Sequence, residues 1–187
     1  MTFKIHTKAT APEASIPVLT GLEQHIGFIP NLIGVLAESP MAITSVAAVN
    51  QAIEQSGLTP IEQRIVTIAV SAENNCNYCV PAQSTMAKMA EMPDEILQQV
   101  REKQILSDKK YEALRLFSLN VFNNKGWVAD KDVQIFIDAG YETRHVLEVI
   151  TLIALMTLTN YVGHIANIDL DDAFISQQWM GDQLKSA

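Results

Sequence analysis

The sequence predicts a single all-helical domain. Apolar residues recur at intervals of three and four along almost the whole chain, no stretch shows several cycles of apolar and polar alternation, and the breaks between periodic segments carry helix-start and helix-stop residues. At 187 residues with 48% apolar and 18% charged side chains, the chain has one-domain size and enough apolar surface for a packed core. Residues 1–187 are read as that one domain, with an irregular N-terminal segment to about residue 15.

From Ile16 a first helix carries Val18, Leu19, Leu22 and Ile26 and stops at Gly27, a C-terminal cap ahead of Phe28-Ile29-Pro30. Pro30-Asn31 opens a second through Leu32, Ile33, Val35 and Leu36, which ends before Ser39-Pro40 because a residue preceding proline avoids helical dihedrals. Met41 to Gln55 forms a third, closed by Gly57. Thr59-Pro60-Ile61-Glu62 reads as a capping box with proline at the first helical position, starting a fourth helix that runs to about Glu73 and ends at Asn74-Asn75. A fifth runs from about Asn77 to Glu91, with Pro81 in the first turn, where its missing N–H is not needed. Pro93-Asp94 begins a short helix to about Lys103, and Ser107-Asp108 caps another to about Asn123. Asn124-Lys125-Gly126 breaks the chain again, Lys131 to Ala139 is short and ends at Gly140, and Glu142 to about Asn167 is the longest, apolar on nearly every face and so placed in the core. A weak echo at an offset of 83 residues, Val66, Asn77 and Tyr78 against Val149, Asn160 and Tyr161, admits an internal duplication.

Thirteen Lys+Arg against 21 Asp+Glu give a formal charge of −8, so no positive field exists to recruit a nucleic acid or an anionic membrane. The apolar run Val149 to Gly163 is interrupted by Thr151, Thr157, Thr159 and Asn160 and falls short of a membrane span. Met1 to Pro17 holds no continuous apolar stretch, so neither a secretory signal nor an anchor is expected and the protein is placed in the cytoplasm.

The two cysteines sit three apart as Cys76-Asn77-Tyr78-Cys79, which in a reducing compartment points to chemistry more than to a structural staple. With Asn77 as the cap, Cys79 lies in the first turn of a helix, where unpaired N–H groups and the helix dipole lower a thiol pKa. Cys76 is near enough to close a disulfide with it, so one sulfur could attack and the other resolve. Three other readings stay open. A zinc site would need two more ligands, and His6, His25, His145 and His164 are scattered singly. Thioredoxin-like chemistry usually comes with a βαβ pattern, which is absent, and two cysteines can simply pack as small apolar residues.

Gly27-Phe28-Ile29-Pro30-Asn31-Leu32, Ser39-Pro40, the stretch Leu58 to Val70 and above all the run from Ser71 through Cys76-Asn77-Tyr78-Cys79 to Ala82 resemble the alkylhydroperoxidase D-like branch of the carboxymuconolactone decarboxylase family. The likeness extends to Thr159-Asn160-Tyr161 and Asp169-Leu170-Asp171. The resemblance implies an all-helical bundle that assembles as a homo-oligomer, a trimer or hexamer, with thiol-dependent peroxidase or disulfide reductase activity and no cofactor or metal. It makes Cys79 the peroxidatic cysteine and Cys76 the resolving one, acting on a peroxide or disulfide substrate and recharged by a dithiol or thioredoxin-like reductant.

Two positions depart from that pattern. The family places a histidine four residues after the second cysteine and a glutamate twelve before the first, and these positions hold Gln83 and Arg64. Neither exchanges a proton near neutral pH, so the family's proton relay is missing or relocated. Glu62 lies on the opposite side of its helix from Arg64, about 200° around. Glu73, three residues before Cys76, and His164, at the end of the apolar helix, are the candidate replacements, and Arg64 could favour a thiolate by its charge. Met86, Met89 and Met92 could line a peroxide pocket or serve as core and interface. The alternatives to a peroxidase are a non-catalytic oligomeric binding or redox-sensing protein and a decarboxylase-type member of the same family.

Overall fold

The structure, a computed structural model, describes residues 3–181. Nine α-helices and two 3₁₀ turns, with no strand, make up these residues: α1 (Ile16–Ile26), α2 (Asn31–Leu36), α3 (Pro40–Ile53), α4 (Pro60–Glu73), α5 (Cys79–Met89), α6 (Asp94–Arg101), α7 (Lys109–Asn123), α8 (Asp130–Asp138) and α9 (Thr143–Ala166), with the turns at Glu13–Ser15 and Asp172–Gln177. The all-helical, single-domain expectation holds. The two turns go beyond the sequence expectation, since a 3₁₀ turn of a few residues leaves no periodic signature.

The centre of the bundle is α4, packed against α5, α6, α7 and α9. From Glu62 to Ala72 every residue except Arg64 is buried. Its start follows the expected capping box: Thr59 Oγ1 accepts the Glu62 N–H (3.3 Å) while Glu62 Oε2 accepts the Thr59 N–H (2.8 Å). The Glu62 carboxylate also takes a hydrogen bond from Tyr141 (3.1 Å) and an ion pair from Lys110 (3.0 Å), so one side chain ties α4, α7 and the α8–α9 connection together. Tyr141 stacks on Phe136 and Phe136 on Phe117, which completes that side of the core.

Some boundaries move. Ser39 caps α3 by accepting the Ala42 N–H, so Pro40 is its first residue, as an N-terminal proline should be. Helix α5 begins at Cys79 rather than Asn77. The echo places only one of its three pairs alike: Val66 and Val149 are both fully buried, but Asn77 is exposed where Asn160 is fully buried, and Tyr78 is buried where Tyr161 is 52% exposed. By length and composition α9 could cross a bilayer, and only a third of its most apolar stretch is buried here. Its inner face (Val149, Leu152, Met156, Asn160, Gly163) packs into the fold, while Leu147, Ile150, Tyr161 and Ile165 form an outer apolar stripe.

Burial pushes the Glu62 carboxyl up, but the Thr59 N–H, Lys110 and the Thr59 hydroxyl outweigh it and hold it below its ordinary 4.5. A carboxyl depressed in the folded state adds stability above the unfolded value and loses it as pH falls through the folded one. Stability should therefore drop as pH falls below 4.5, and less steeply in Glu62→Gln. Thr59→Ala should cost about 0.5–2 kcal/mol. Glu62→Ala should cost more, by about 1–3 kcal/mol for each buried donor left unpaired. Urea unfolding of the three variants across pH 3 to 7 checks all of this, and equal costs for Thr59→Ala and Glu62→Ala would contradict the three-way role of Glu62.

Candidate active site

The cysteine pair is built by how α4 ends. Asn75 adopts a left-handed conformation (φ 52°), its N–H bonds to the Ala72 carbonyl (3.0 Å), and the Cys76 N–H reaches back to the Ser71 carbonyl (3.0 Å). This double bond to the last turn is the Schellman closure, for which asparagine substitutes for glycine. It turns the chain so that Cys76, not Asn77, faces the start of α5: Cys76 Sγ accepts the Cys79 N–H (3.3 Å) and the Cys76 carbonyl accepts the Val80 N–H (3.1 Å). The expected Asn77 cap is corrected accordingly; the side chain of Asn77 is exposed and the sulfur of Cys76 fills the capping role.

That swap reverses the expected electrostatics of the pair. Both cysteines are reduced and buried, at 1% and 3% exposure. The facing Cys79 thiol holds Cys76 below the ordinary thiol pKa against the upward push of burial, helped by the N–H groups of Cys79 and Tyr78. Cys79, donating to Cys76 and buried beside its negative charge, is pushed well above the ordinary value, and Asn160 and Thr159 only partly offset this. The first negative charge of the dithiol rests on Cys76, and the helix N-terminus serves that sulfur first.

Helix α9 supplies the floor. Asn160, fully buried, donates to Ser71 Oγ (3.2 Å), accepts from Asn74 Nδ2 (2.9 Å) and faces the Cys79 sulfur together with Thr159. Gly163 lets α9 approach Cys76: a Cβ there would lie 3.3 Å from the sulfur, nearer than such contacts normally come. Tyr78, between the cysteines, donates to Asp171 (2.6 Å) and accepts the Leu32 N–H (3.3 Å), while Asp171 also accepts the Asn31 N–H (3.0 Å). The motif is thereby strapped to the N-terminus of α2 and to the segment after α9. Burial and then the Asp171 carboxylate push the Tyr78 phenol far up, so it remains a donor.

The two departures from the family pattern meet in space. Arg64 Nη1 donates to Gln83 Oε1 (2.6 Å) and lies 3.3 Å from Met86 Sδ, linking α4 to the face of α5 one turn beyond Cys79. The proposed replacements do not join them. The Glu73 carboxylate accepts from Asn123 of α7 (3.2 Å), and His164 is exposed on α9 beside the Gly163 that actually faces Cys76. The methionines scatter, with Met92 in the core, Met86 against Arg64 and Met89 81% exposed, so they do not line one pocket. Asn160 and Asp171 belong to the stretches that carry the family resemblance, but no local motif assigns them the contacts they make. The available signal for Asn160 was an asparagine deep in an apolar helix with no cap to make, since such a side chain needs buried partners.

Fold and site together describe an all-helical protein carrying a buried, reduced dithiol at the start of a helix. Residues 41–107 match the carboxymuconolactone decarboxylase family, the family the motif resembled, and this segment contains both cysteines, Arg64 and Gln83. No curated protein sequence matches the chain. Among solved structures, the alkylhydroperoxidase AhpD core protein from Ralstonia eutropha JMP134, an uncharacterized peroxidase-related protein, superposes with a TM-score of 0.80 at 22% identity over 91% of this chain and 92% of that one. A peroxidase-related protein from Silicibacter sp. TM1040 gives 0.80 at 15% identity over 92% and 93%. The debrominase Bmp8, solved as a Cys-to-Ala variant with 2,3,4-tribromopyrrole, gives 0.74 at 18% identity over 94% and 95%. The fold is the alkylhydroperoxidase D-like one.

The charge distribution yields a test. In the reduced protein, iodoacetamide should modify Cys76 at lower pH than Cys79, as read by peptide mass spectrometry. Cys79→Ala removes the donating thiol and should move the Cys76 profile to higher pH, whereas Asn160→Ala should shift only the Cys79 profile upward. Cys79 reacting first in the wild type would contradict this order.

Proposed function

We propose that the protein is a thiol-dependent oxidoreductase that reduces a peroxide with the Cys76–Cys79 dithiol. The observation that carries this reading is the buried, reduced pair at the head of α5, where Cys76 Sγ accepts the Cys79 N–H (3.3 Å) and the two thiols are pushed apart, Cys76 down and Cys79 up, so that Cys76 is the better proton acceptor of the two. Cys76 then supplies the proton transfer that Gln83 and Arg64 cannot. As the Cys79 sulfur attacks the outer peroxide oxygen, its proton passes to Cys76 and on to the departing alkoxide, giving an alcohol and a Cys79 sulfenic acid. The Cys76 thiolate next attacks the sulfenic sulfur, the disulfide forms, and hydroxide leaves to be protonated by solvent. The peroxide is reduced by two electrons and the dithiol oxidised by two. An external dithiol or thioredoxin-like protein in a reducing cytoplasm restores the pair by exchange.

The peroxidase-related names of two structural relatives agree with this reading, and the debrominase supplies a second electron acceptor to test. A disulfide substrate would use the same pair. A redox sensor differs from an enzyme in oxidising once per chain. The outer stripe on α9 supports assembly of several copies, because an apolar row of this kind on a soluble protein normally finds a partner.

With excess dithiol, wild type should consume peroxide over many turnovers and Cys79→Ser should not. Cys76→Ser should leave a sulfenic acid on Cys79 that dimedone traps, formed at least about tenfold more slowly because its proton acceptor is gone. Equal rates of thiol loss in wild type and Cys79→Ser would overturn the assignment, and a single oxidation per chain would favour the sensor. Light scattering of the purified protein should give a multiple of 20.6 kDa, and Leu147→Glu with Ile165→Glu should reduce it toward that value.

A further inference from the structure

Four arginines occur in the chain, and three of them are anchored to oxygens of neighbouring residues, although the buried Nε of Arg101 is left without a partner among the described residues. Arg101 donates to the Gln177 side chain and to the carbonyls of Gln177 and Gln178, Arg115 makes two bonds to the Glu112 carboxylate, and Arg144 pairs with Glu142. Arg64 is different. It alone interrupts the buried run of α4, only its Nη1 is engaged, its partners are an amide oxygen and a thioether, and no carboxylate among the described residues pairs with it. Burial weakens its hold on its proton, which marks surroundings poor in water. The groups that set the two thiols are each other, backbone N–H groups, Asn160 and Thr159, so Arg64 is not spent on holding the thiolate.

We propose that Arg64, braced by Gln83, binds a carboxylate of the substrate, so that the hydroperoxide this protein reduces is an organic acid; this rests on the peroxidase reading above. A guanidinium fork with Nε and Nη2 uncommitted matches a carboxylate in a two-bond arrangement, and such charge-assisted pairs are the strong ones. Gln83 holds the fork by its other edge, which fixes its plane and lowers the cost of ordering it. Gln83 also follows Cys79 by one turn on α5, so a carboxylate held there directs the rest of the molecule along the face that carries the reacting sulfur. On a chain of net charge −8, an anion is attracted only where a cation is locally uncompensated, and Arg64 provides that place.

The probe is benzoate against benzamide, which differ in charge and little in shape, titrated calorimetrically into the reduced protein. Benzoate should bind at least about tenfold more tightly than benzamide, Arg64→Gln should abolish the difference, and Arg64→Lys, which keeps the charge without the fork, should weaken it. In turnover, the KM for linoleic acid hydroperoxide should rise about tenfold or more in Arg64→Gln while that for its methyl ester moves little. Equal binding of benzoate and benzamide to wild type, or benzoate binding that survives Arg64→Gln, overturns the proposal. If Arg64→Gln does not fold, wild type and Arg64→Lys decide by the same comparison. Benzoate binding through Arg64 without turnover of any hydroperoxide would instead overturn the peroxidase reading and leave the carboxylate site standing.

Discussion

Everything in this fold is arranged around a helix with almost no solvent-facing side. Because α4 is enclosed by α5, α6, α7 and α9, each polar group on it must find a partner inside the protein. Glu62 finds Tyr141, Lys110 and the N–H groups of its own cap; Gln63 donates to the Leu58 carbonyl; Ser71 meets Asn160. These bonds fix how neighbouring helices approach, so the enclosure of α4 sets the position of α9 and, through it, the floor beneath the cysteines. Between Glu62 and Ala72, Arg64 is the one residue that the enclosure leaves half-buried.

The cysteine motif shows how a local chain reversal redistributes charge. A left-handed asparagine closes α4, and the residue delivered to the head of α5 is a cysteine whose sulfur takes the capping bond. One thiol becomes the acceptor and its partner the donor, an asymmetry that follows from the direction of the turn. In the proposed reaction this asymmetry lets the dithiol supply its own proton acceptor, a task that Gln83 and Arg64 cannot perform. Arg64 and Gln83, the two positions that depart from the resembled pattern, form a contacting pair in which Gln83 holds one edge of the guanidinium.

The C-terminal segment closes the site from outside. Phe174 packs edge-on against Tyr78, Arg101 grips the carbonyls of Gln177 and Gln178, and Trp179 buries against Ala72 and Val80. The Phe174–Tyr78 contact joins the segment between the cysteines to residues far along the chain, so the placement of the motif is a long-range property.

Helix positions, most caps and the importance of Cys76-Asn77-Tyr78-Cys79 were legible in the sequence, because they depend on residues within a few positions of one another: an apolar period, a proline in a first turn, a threonine three before a glutamate. The family resemblance was legible for the same reason, its motif being contiguous. What the tertiary structure alone decided was which sulfur receives the helix N-terminus, that Asn160 lies beneath it, that Glu73 turns to Asn123 and His164 to solvent, and that Arg64 reaches Gln83. Each of these is settled by packing between helices far apart in sequence, where a rotation of one helix by a single residue, about 100°, exchanges a buried partner for an exposed one. No local pattern encodes that angle.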